Sequence, residues 1–138
     1  MVNEKLQKEL VEKAQEAAGK AYAPYSEFRV GAALLPAGGR RRIVTGCNVE
    51  NASYGLTVCA ERSALAAAVA AGYRKFQALA VVVSGKKRKM PPCGACLQVL
   101  AEFCGPDFQI FTAASGRPDK INVYRLRDLL PHVFRLNH

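Results

Sequence analysis

One continuous apolar run, Phe76–Val83, constrains the fold more strongly than any other feature of this sequence. The run ends in three consecutive valines and does not alternate with polar residues, a pattern typical of a strand that is buried on both faces. Helical patterns lie on either side of it, over Cys59–Ala71 and over about Cys93–Cys104. A buried strand between two helices predicts a sheet with helices packed on its faces.

The other patterns along the chain supply the rest of this sheet. They are a helix over about Asn3–Tyr22 that Pro24 ends, strands over Glu27–Leu35 and Arg41–Val49, a loop over Glu50–Val58, and short strands over Phe108–Thr112 and Ile121–Tyr124. Turn formers at 36–39 predict a hairpin, and the crossovers around the two later helices imply some parallel pairing. The sequence therefore predicts an α/β fold, a mixed sheet of about five strands with helices on both faces, formed by residues 1–138 as a single domain.

Composition and hydropathy exclude several classes of protein. Half of the residues are apolar and 22% are charged, which is typical of a globular domain rather than a disordered or fibrous chain. The first residues lack the apolar stretch of a secretory signal, and charged residues interrupt the longest apolar region, Ala64–Val83, whereas a membrane span needs roughly 20 mostly apolar residues. We therefore expect a cytoplasmic protein with no membrane partner. Its five cysteines are then expected to serve metal binding or catalysis rather than a disulfide framework.

The net charge of +9 raises the question of a nucleic-acid partner. Two basic runs, Arg40–Arg42 and Lys86–Lys89, follow turn-forming residues and are expected to be exposed loops. A polyanion-binding surface is the alternative interpretation. Neither run contains an aromatic residue on which a base could stack, so we do not expect a nucleic-acid partner.

Three cysteines lie at the starts of two predicted helices, an arrangement suited to a catalytic metal. Cys59 begins one helix, and Cys93 and Cys96 lie one turn apart at the start of the next. Helix N-termini favour thiolates, and a catalytic zinc ion takes three protein ligands and leaves its fourth position to water. We therefore predict that these three cysteines bind one Zn²⁺ per chain. The remaining candidates are Cys47 and Cys104, expected to be ordinary buried thiols, and His132 and His138, which lack ligand-like spacing.

Glu61 gives this predicted metal site a candidate catalytic group. It lies two residues after Cys59, so its carboxylate is better placed to reach past the metal than to coordinate it. A carboxylate beside a metal-bound water can take its proton and deliver protons to a substrate. The alternative is a glutamate that only stabilises the first turn of its helix.

These residues match the signature of zinc deaminases, in which His- or Cys-x-Glu is followed by Pro-Cys-x-x-Cys. Over nearly its whole length the chain resembles the homotetrameric, zinc-dependent cytidine deaminase family of the cytidine and deoxycytidylate deaminase superfamily. The segments that carry the resemblance are GCNVENASYGLTVCAER (46–62), YSEFRVGAAL (25–34), PCGACLQVL (92–100) and Leu129-Leu130-Pro131. Ordered agreement of several segments is far more specific than one short motif.

The resemblance implies the three-layer fold of that family and a nucleoside substrate. The implied reaction is hydrolytic deamination of cytidine and 2′-deoxycytidine to uridine and 2′-deoxyuridine, with release of ammonia, as in pyrimidine salvage. Zinc-bound hydroxide would attack C4 of cytosine, and Glu61 would shuttle protons to N3 and to the leaving amino group. The resemblance also implies a homotetramer with active sites near the subunit boundaries.

The resemblance further assigns roles to individual residues. Asn48 and Glu50 would bind the ribose hydroxyls, although both also suit a turn. Phe28 would pack against the pyrimidine face, although an aromatic residue there also suits a core. The other implied roles are a backbone N–H donor to the substrate carbonyl at Ala60, charge compensation of the thiolates at Arg62, and contacts with a neighbouring subunit's site at Phe134 and Tyr54.

Two features depart from the family. Leu97 stands where the family commonly has arginine, so a polar contact made there is not expected in this chain. The tail after Pro131 has His132-Val133 in place of smaller residues and ends at His138.

Three other functions share part of this pattern. A polynucleotide deaminase would use the same zinc and glutamate, but the sugar-reading Asn48-Val49-Glu50 and the modest length argue against a groove for flanking nucleotides. A deaminase of an aminoacyl-nucleoside antibiotic would keep the zinc motifs and alter the sugar pocket. A zinc-stabilised basic binding module would use the metal for folding alone. This alternative gives Glu61 no role.

The helical pattern Cys59–Ala71 contains seven alanines, which occur all round it. Small side chains on several faces let a helix approach the sheet on one side and another subunit on the other. The alternative is that alanine is used only for its high helix propensity.

Overall fold

The computed structural model describes residues 2–38, 42–85 and 88–136. Its strands are β1 (Arg29–Pro36), β2 (Val44–Cys47), β3 (Phe76–Ser84), β4 (Gln109–Ala114) and β5 (Arg117–Arg125), and its helices are α1 (Glu4–Ala18), α2 (Ala60–Ala70), α3 (Gly94–Ala101) and α4 (Leu126–Leu129). The strands form one sheet in the order β2-β1-β3-β4-β5. β3 and β4 pair in parallel, whereas the other three pairings are antiparallel.

Helices cover both faces of this sheet, which confirms the predicted α/β architecture. On one face, α1 packs Leu10 and Val11 against Val82 and Phe111. On the other face, α2 and α3 contribute a second core. This second core includes Ala64, Leu65, Ala68, Leu97, Leu100, Leu34, Leu79, Val81 and Ile110. The central strand β3 is buried on both faces, as its almost continuous apolar sequence predicts.

Helix α1 is shorter than the predicted Asn3–Tyr22. Its start is as expected, because the Asn3 side chain accepts a hydrogen bond from the Leu6 N–H and caps the first turn. It ends at Ala18, well before Pro24. Tyr22 instead forms a β-bridge with Val49. The main-chain N–H and C=O of Tyr22 are used in this bridge and make no helical hydrogen bonds. Gly19 is the C-cap residue of α1, so the proline is not what ends this helix.

The predicted hairpin of β1 and β2 is present, but both strands are shorter at the ends nearest the site. The segment before β1 bends at Glu27, whose φ of 58° lies in the left-handed region. β2 ends at Cys47, because the next residue, Asn48, pairs with β1 through its side chain. The beginning of the predicted second strand, Arg41, lies outside the described residues.

At the other edge of the sheet, β5 extends well beyond the predicted Ile121–Tyr124. Its first residues are exposed and mostly charged, so the apolar pattern did not reveal them, but Arg117 pairs with Ala114 of β4. Two short elements were also absent from the prediction. These are a 3-10 turn over Tyr54–Leu56 and the helix α4.

Two glycines allow the helices to lie close to the sheet. A Cβ at Gly31 would overlap the main chain of Ala14 and Ala18 in α1. A Cβ at Gly46 would overlap the main-chain nitrogen of Ala64 and approach the Ala60 carbonyl oxygen to 2.8 Å. The absence of a side chain at Gly46 thus lets the first turn of α2, which carries Glu61, pack directly on β2.

Among the described residues, no helix is long and apolar enough to cross a membrane. Arg42 and Arg88, in the two basic runs, are exposed as predicted, and the Lys89 ammonium donates a hydrogen bond to the Lys120 carbonyl. The other residues of those runs, 40–41 and 86–87, lie outside the described part of the chain.

Candidate zinc site and adjoining cavity

The three predicted zinc ligands converge at the starts of two helices. Cys59 and Cys93 are the N-cap residues of α2 and α3, and Cys96 lies in the first turn of α3. Their sulfur atoms all lie within 4.8 Å of one another, and the Cys93 and Cys96 sulfurs are 3.5 Å apart. Three thiol ligands at one point fit the chemistry of Zn²⁺, which favours sulfur and needs three protein ligands at a catalytic site.

The two thiols of α3 have different surroundings. Partial burial opposes ionisation of Cys93, but hydrogen bonds from Cys96 and from the Ala95 main chain outweigh it and lower the pKa of this thiol. Burial, together with the negative charges of Glu61 and Cys59, raises the pKa of the Cys96 thiol. Cys93 and Cys96 can therefore both be thiolates only when a cation lies between their sulfurs. A bound Zn²⁺ would supply that cation.

Arg62 lies beside the thiols, as the sequence predicts. Its guanidinium Nη2 is 3.5 Å from the Cys59 sulfur and also donates to the Thr57 carbonyl at 3.3 Å. The positive charge is thereby held next to a sulfur that becomes negative when it ligates a metal.

Glu61 is a buried carboxyl beside the metal ligands. Its residue is only 6% exposed, and it lies in the first turn of α2. Burial raises the pKa of this carboxyl, against the opposing effects of a main-chain hydrogen bond and the Arg62 charge. A carboxylate that served only to stabilise a helix start would normally lie in solvent, so its burial favours a chemical role.

A cavity of about 210 Å³ opens beside the thiols and Glu61. Its wall includes the predicted site residues Phe28, Asn48, Cys59, Ala60, Glu61 and Cys93. Six further residues complete it, namely Val30, Thr57, Val81, Val83, Met90 and Pro91. Most of the wall is apolar, and the polar groups gather at the α2 and α3 N-termini, as in sites that bury a flat ligand and orient it with a few polar contacts.

Sequence reasoning missed the six additional residues of the wall. Val81 and Val83 lie near the carboxyl end of the central strand, which is where ligand sites in α/β sheets commonly form. Met90 and Pro91 directly precede the Pro92-Cys93 motif, so their place in the chain was a usable signal. Thr57 and Val30 carried no comparable signal.

Asn48 lines the cavity and joins the elements that carry the site. Its amide nitrogen donates to the Phe28 carbonyl at 2.7 Å, and its amide oxygen accepts the Val30 N–H at 2.9 Å. The residue is 8% exposed, so these bonds satisfy a buried polar group. The side chain thus fixes the backbone on both sides of Arg29 and positions Phe28 at the cavity.

Glu50 lies next to the cavity rather than in its wall. One carboxylate oxygen accepts the Tyr25 N–H at 2.9 Å and the Ser26 N–H at 3.1 Å, while the other accepts the Ser26 hydroxyl. The Ser26 hydroxyl contributes most to lowering the pKa of this carboxyl, although slight desolvation opposes it. The carboxylate is therefore ionised and anchors the loop before β1.

Tyr54 and Phe134 do not reach the cavity of their own chain. Tyr54 is 75% exposed and meets only the edge of the Tyr25 ring among described aromatic residues, with ring centres 6.0 Å apart. Phe134 is 68% exposed, and its main-chain carbonyl accepts a hydrogen bond from Gln98.

Leu97 is buried in the core beneath α3, so this position makes an apolar contact.

The other candidate ligands lie apart from the thiol cluster. Cys104 is buried, which raises the pKa of its thiol to about 12 and fits the predicted inert role. Cys47 is only half-buried, in β2. His132 is exposed, and His138 lies outside the described residues.

A larger cavity, of about 580 Å³, contains none of this chemistry. Its wall includes Asp107, which forms ion pairs with Arg125 and Arg127. These three charged groups already pair with one another, and their side chains are half-exposed or more. The smaller cavity is therefore the functional candidate, because it combines metal ligands with a buried carboxyl.

Three thiols at two helix N-termini, with a buried carboxyl at the same cavity of a three-layer α/β fold, define a zinc-dependent hydrolase. Residues 4–112 match the family model described as the cytidine and deoxycytidylate deaminase zinc-binding region. The chain belongs to the cytidine deaminase family.

Individual relatives support this assignment over most of the chain. A cytidine deaminase of Halalkalibacterium halodurans is 48% identical over 126 residues, which cover 91% of each chain. A cytidine deaminase of Mycobacterium tuberculosis is 47% identical over 124 residues, covering 90% of this chain and 86% of the relative. The crystal structure of a cytidine deaminase from Burkholderia pseudomallei superposes with a TM-score of 0.83 at 48% identity, covering 91% of this chain and 97% of the other.

Proposed function

We propose that this chain hydrolyses the 4-amino group of cytidine and 2′-deoxycytidine, giving the uracil nucleosides and ammonia. The observation that carries this proposal is the convergence of three sulfur atoms within 4.8 Å beside a cavity that Glu61 also lines. The family membership supplies the substrate class. A zinc-stabilised binding module has no use for a buried carboxyl at that place.

Cys59, Cys93 and Cys96 hold the zinc ion in this proposal, and Arg62 compensates part of their negative charge. A zinc ion held by three protein ligands would supply a bound water whose pKa is lowered to roughly 7. Cys59 and Cys93 line the cavity and Cys96 lies beside Cys93, so these three thiols would hold the ion at the edge of the cavity.

Glu61 moves the protons of the reaction. Its carboxylate takes a proton from the attacking water and delivers it to N3 of cytosine as the new C4–O bond forms. It then passes the second proton of that water to the amino group, and the C4–N bond breaks to release ammonia. One water is consumed for each ammonia released, and Glu61 returns to its starting state.

The remaining cavity residues position the nucleoside. A volume of about 210 Å³ is smaller than the roughly 300–1,000 Å³ of sites for drug-sized ligands, and it suits the base with the sugar toward the rim. Phe28 packs against the pyrimidine, and the Ala60 N–H, free at the helix start, binds the base carbonyl. Asn48 and Glu50 bind the sugar hydroxyls at the rim.

A comparison of three substrates tests this function. Purified protein is expected to release ammonia from cytidine and from 2′-deoxycytidine, and not from a cytosine-containing oligonucleotide. The reason is that a small, mostly apolar cavity accommodates one base and its sugar but offers no groove for flanking nucleotides. Turnover of the oligonucleotide alone would favour a polynucleotide deaminase, and no turnover of any substrate would favour the binding module.

We also propose that four copies assemble, with Tyr54 and Phe134 reaching a neighbouring subunit's site. The exposed apolar side chains of residues 22–25, 49 and 54–58 support this assembly, because the bridges Tyr22–Val49 and Val49–Val58 join these segments into one patch. Ala66, Ala67 and Ala70 are exposed on α2, on the side away from the sheet. A continuous apolar surface of this kind marks an interaction site, and a second copy is the occupant that we propose.

Sedimentation at micromolar concentration is expected to give a mass near four chains. Leu56→Lys should shift the protein to smaller species and reduce activity, because it places a charge in the apolar patch. Val123→Lys is the matched control, since Val123 is an exposed apolar residue on the edge strand β5, apart from the patch. A wild-type monomer with full activity would contradict both the assembly and the roles of Tyr54 and Phe134.

Two further proposals follow from the same features. Residues 1–138 form a single domain, because both core clusters share the one sheet. The protein acts in the cytoplasm, where thiols stay reduced and Cys59, Cys93 and Cys96 remain able to bind zinc.

A further inference from the structure

We propose that the Ser26 hydroxyl is a positioning group for the reaction, because it joins the Glu50 carboxylate to the main chain of Phe28. It thereby holds the residue that contacts the sugar and the residue that contacts the base in one fixed arrangement. This inference rests on the proposed substrate roles of Glu50 and Phe28.

The hydrogen bonds of Ser26 form a continuous link between these two residues. The hydroxyl donates to one carboxylate oxygen of Glu50 and accepts the Phe28 N–H at 3.0 Å. The Ser26 N–H donates to the other carboxylate oxygen at 3.1 Å. Ser26 therefore binds Glu50 through two groups and Phe28 through one.

The backbone between Ser26 and Phe28 has an unfavourable conformation at Glu27, and the hydrogen-bonded link is maintained despite it. Glu27 has a φ of 58°, which is unfavourable for a residue with a side chain. Its N–H donates to the Ala23 carbonyl at 3.0 Å and closes a tight turn. That turn brings the Ser26 hydroxyl back toward the Phe28 N–H, so the local bonds hold an otherwise disfavoured geometry.

Asn48 holds the other side of the same residue. Its amide donates to the Phe28 carbonyl at 2.7 Å, while Ser26 accepts the Phe28 N–H. Both peptide groups of Phe28 are thus fixed by side chains of the substrate site, and its ring lies in the cavity wall. Loss of the Ser26 hydroxyl would release only the N–H side, so we expect a misplaced ring rather than an unfolded loop.

The link also keeps Glu50 suited to accept hydrogen bonds from sugar hydroxyls. The Ser26 hydroxyl contributes most to lowering the pKa of the Glu50 carboxyl, and so favours its ionised form. An ionised carboxylate accepts hydrogen bonds at both oxygens and donates none. Ser26 therefore acts on the orientation and on the charge of the same group.

The test is steady-state kinetics with cytidine on the zinc-loaded enzyme. Ser26→Ala is expected to raise KM about fivefold and to leave kcat within about twofold, because it weakens positioning and leaves Glu61 and the zinc ligands intact. Ser26→Thr, which retains the hydroxyl, should restore a near-normal KM. Ser115→Ala is the matched control, since this hydroxyl also accepts one loop N–H, from Gly85 at 2.9 Å, but lies outside the cavity wall.

A double-mutant cycle with Glu50→Gln separates the inference from the function on which it rests. In the Glu50→Gln background, Ser26→Ala should add less than about twofold to KM, because the coupling is already lost. If Glu50→Gln alone leaves KM unchanged, the proposed sugar contact is wrong. If Glu50→Gln raises KM but Ser26→Ala does not, or if the two effects multiply, the positioning role is wrong. A Ser26→Ala variant without a cooperative thermal transition would likewise overturn the proposal, because Ser26 would then be structural.

Discussion

Replacement of both Cys93 and Cys96 by alanine is expected to reduce the bound zinc from about one ion per chain to nearly none, and to abolish measurable turnover. Cys59 alone would then remain of the three sulfurs that lie within 4.8 Å of one another. A single thiolate cannot hold the ion at this site. Elemental analysis of the purified variant and ammonia release from cytidine measure the two outcomes.

The matched control for this change is Cys47→Ala combined with Cys104→Ala. It also removes two thiols, but both lie outside the cluster, so zinc content and turnover should stay close to wild type. Circular dichroism shows whether either variant has lost its fold. Equal zinc in the wild type and in the variant lacking Cys93 and Cys96 would mean that the metal site has been assigned to the wrong residues.

The separate contributions of Cys93 and Cys96 follow from their surroundings. Cys93 is exposed at the N-cap of α3 and has a lowered pKa, whereas Cys96 is buried and has a raised one. The chain thus holds one thiol that ionises readily and one that ionises when the metal arrives. Zinc binding should therefore release protons, and the affinity should fall as the pH is lowered.

The parts of the fold that the sequence predicts are those with local causes. The apolar residues of β3, interrupted only near its start by Gln77, indicate burial on both faces whatever the neighbouring strands are. The cysteines could be placed at helix starts because helix boundaries and motif spacing are both visible along the chain. α2 and α3 pack on the same face of the sheet, and the structure places the three sulfurs at their N-termini close together.

The parts that the sequence does not predict depend on contacts between distant residues. Tyr22 lies beyond the end of α1 and forms a bridge with Val49, and no local signal marks that pairing. The bend at Glu27 depends on bonds from Glu50 to the preceding loop. The mostly charged start of β5 joins the sheet where Arg117 pairs with Ala114 of β4, a contact that its composition does not indicate.

The same distinction between local signals and contacts of distant residues applies to the candidate site. The candidate zinc ligands and Glu61 could be predicted because the chemistry proposed for them depends on residue type and spacing. The cavity wall also needs Val81 and Met90, which come together only when β3 and the loop that follows it are folded. The anchoring of the loop by Glu50 was invisible for the same reason, because its partners lie about 25 residues earlier in the chain.

Glu61→Gln is expected to lower kcat by at least about 10²-fold, because a deleted general acid–base typically costs that much and in the proposed mechanism one carboxylate serves several proton transfers. The amide has nearly the same shape as the carboxylate and cannot take up a proton, so zinc content and fold should stay unchanged.

Glu4→Gln is the matched control, since Glu4 is also an acidic residue in a helix first turn but is exposed on α1. If Glu61 only stabilised its helix, both substitutions would lower the thermal midpoint slightly and leave kcat near wild type. Removing its charge should instead stabilise the fold or leave it unaffected, because burial disfavours the ionised carboxylate at this place. A zinc-loaded, folded Glu61→Gln variant with near-normal kcat would therefore contradict the proton-transfer role and with it the proposed mechanism.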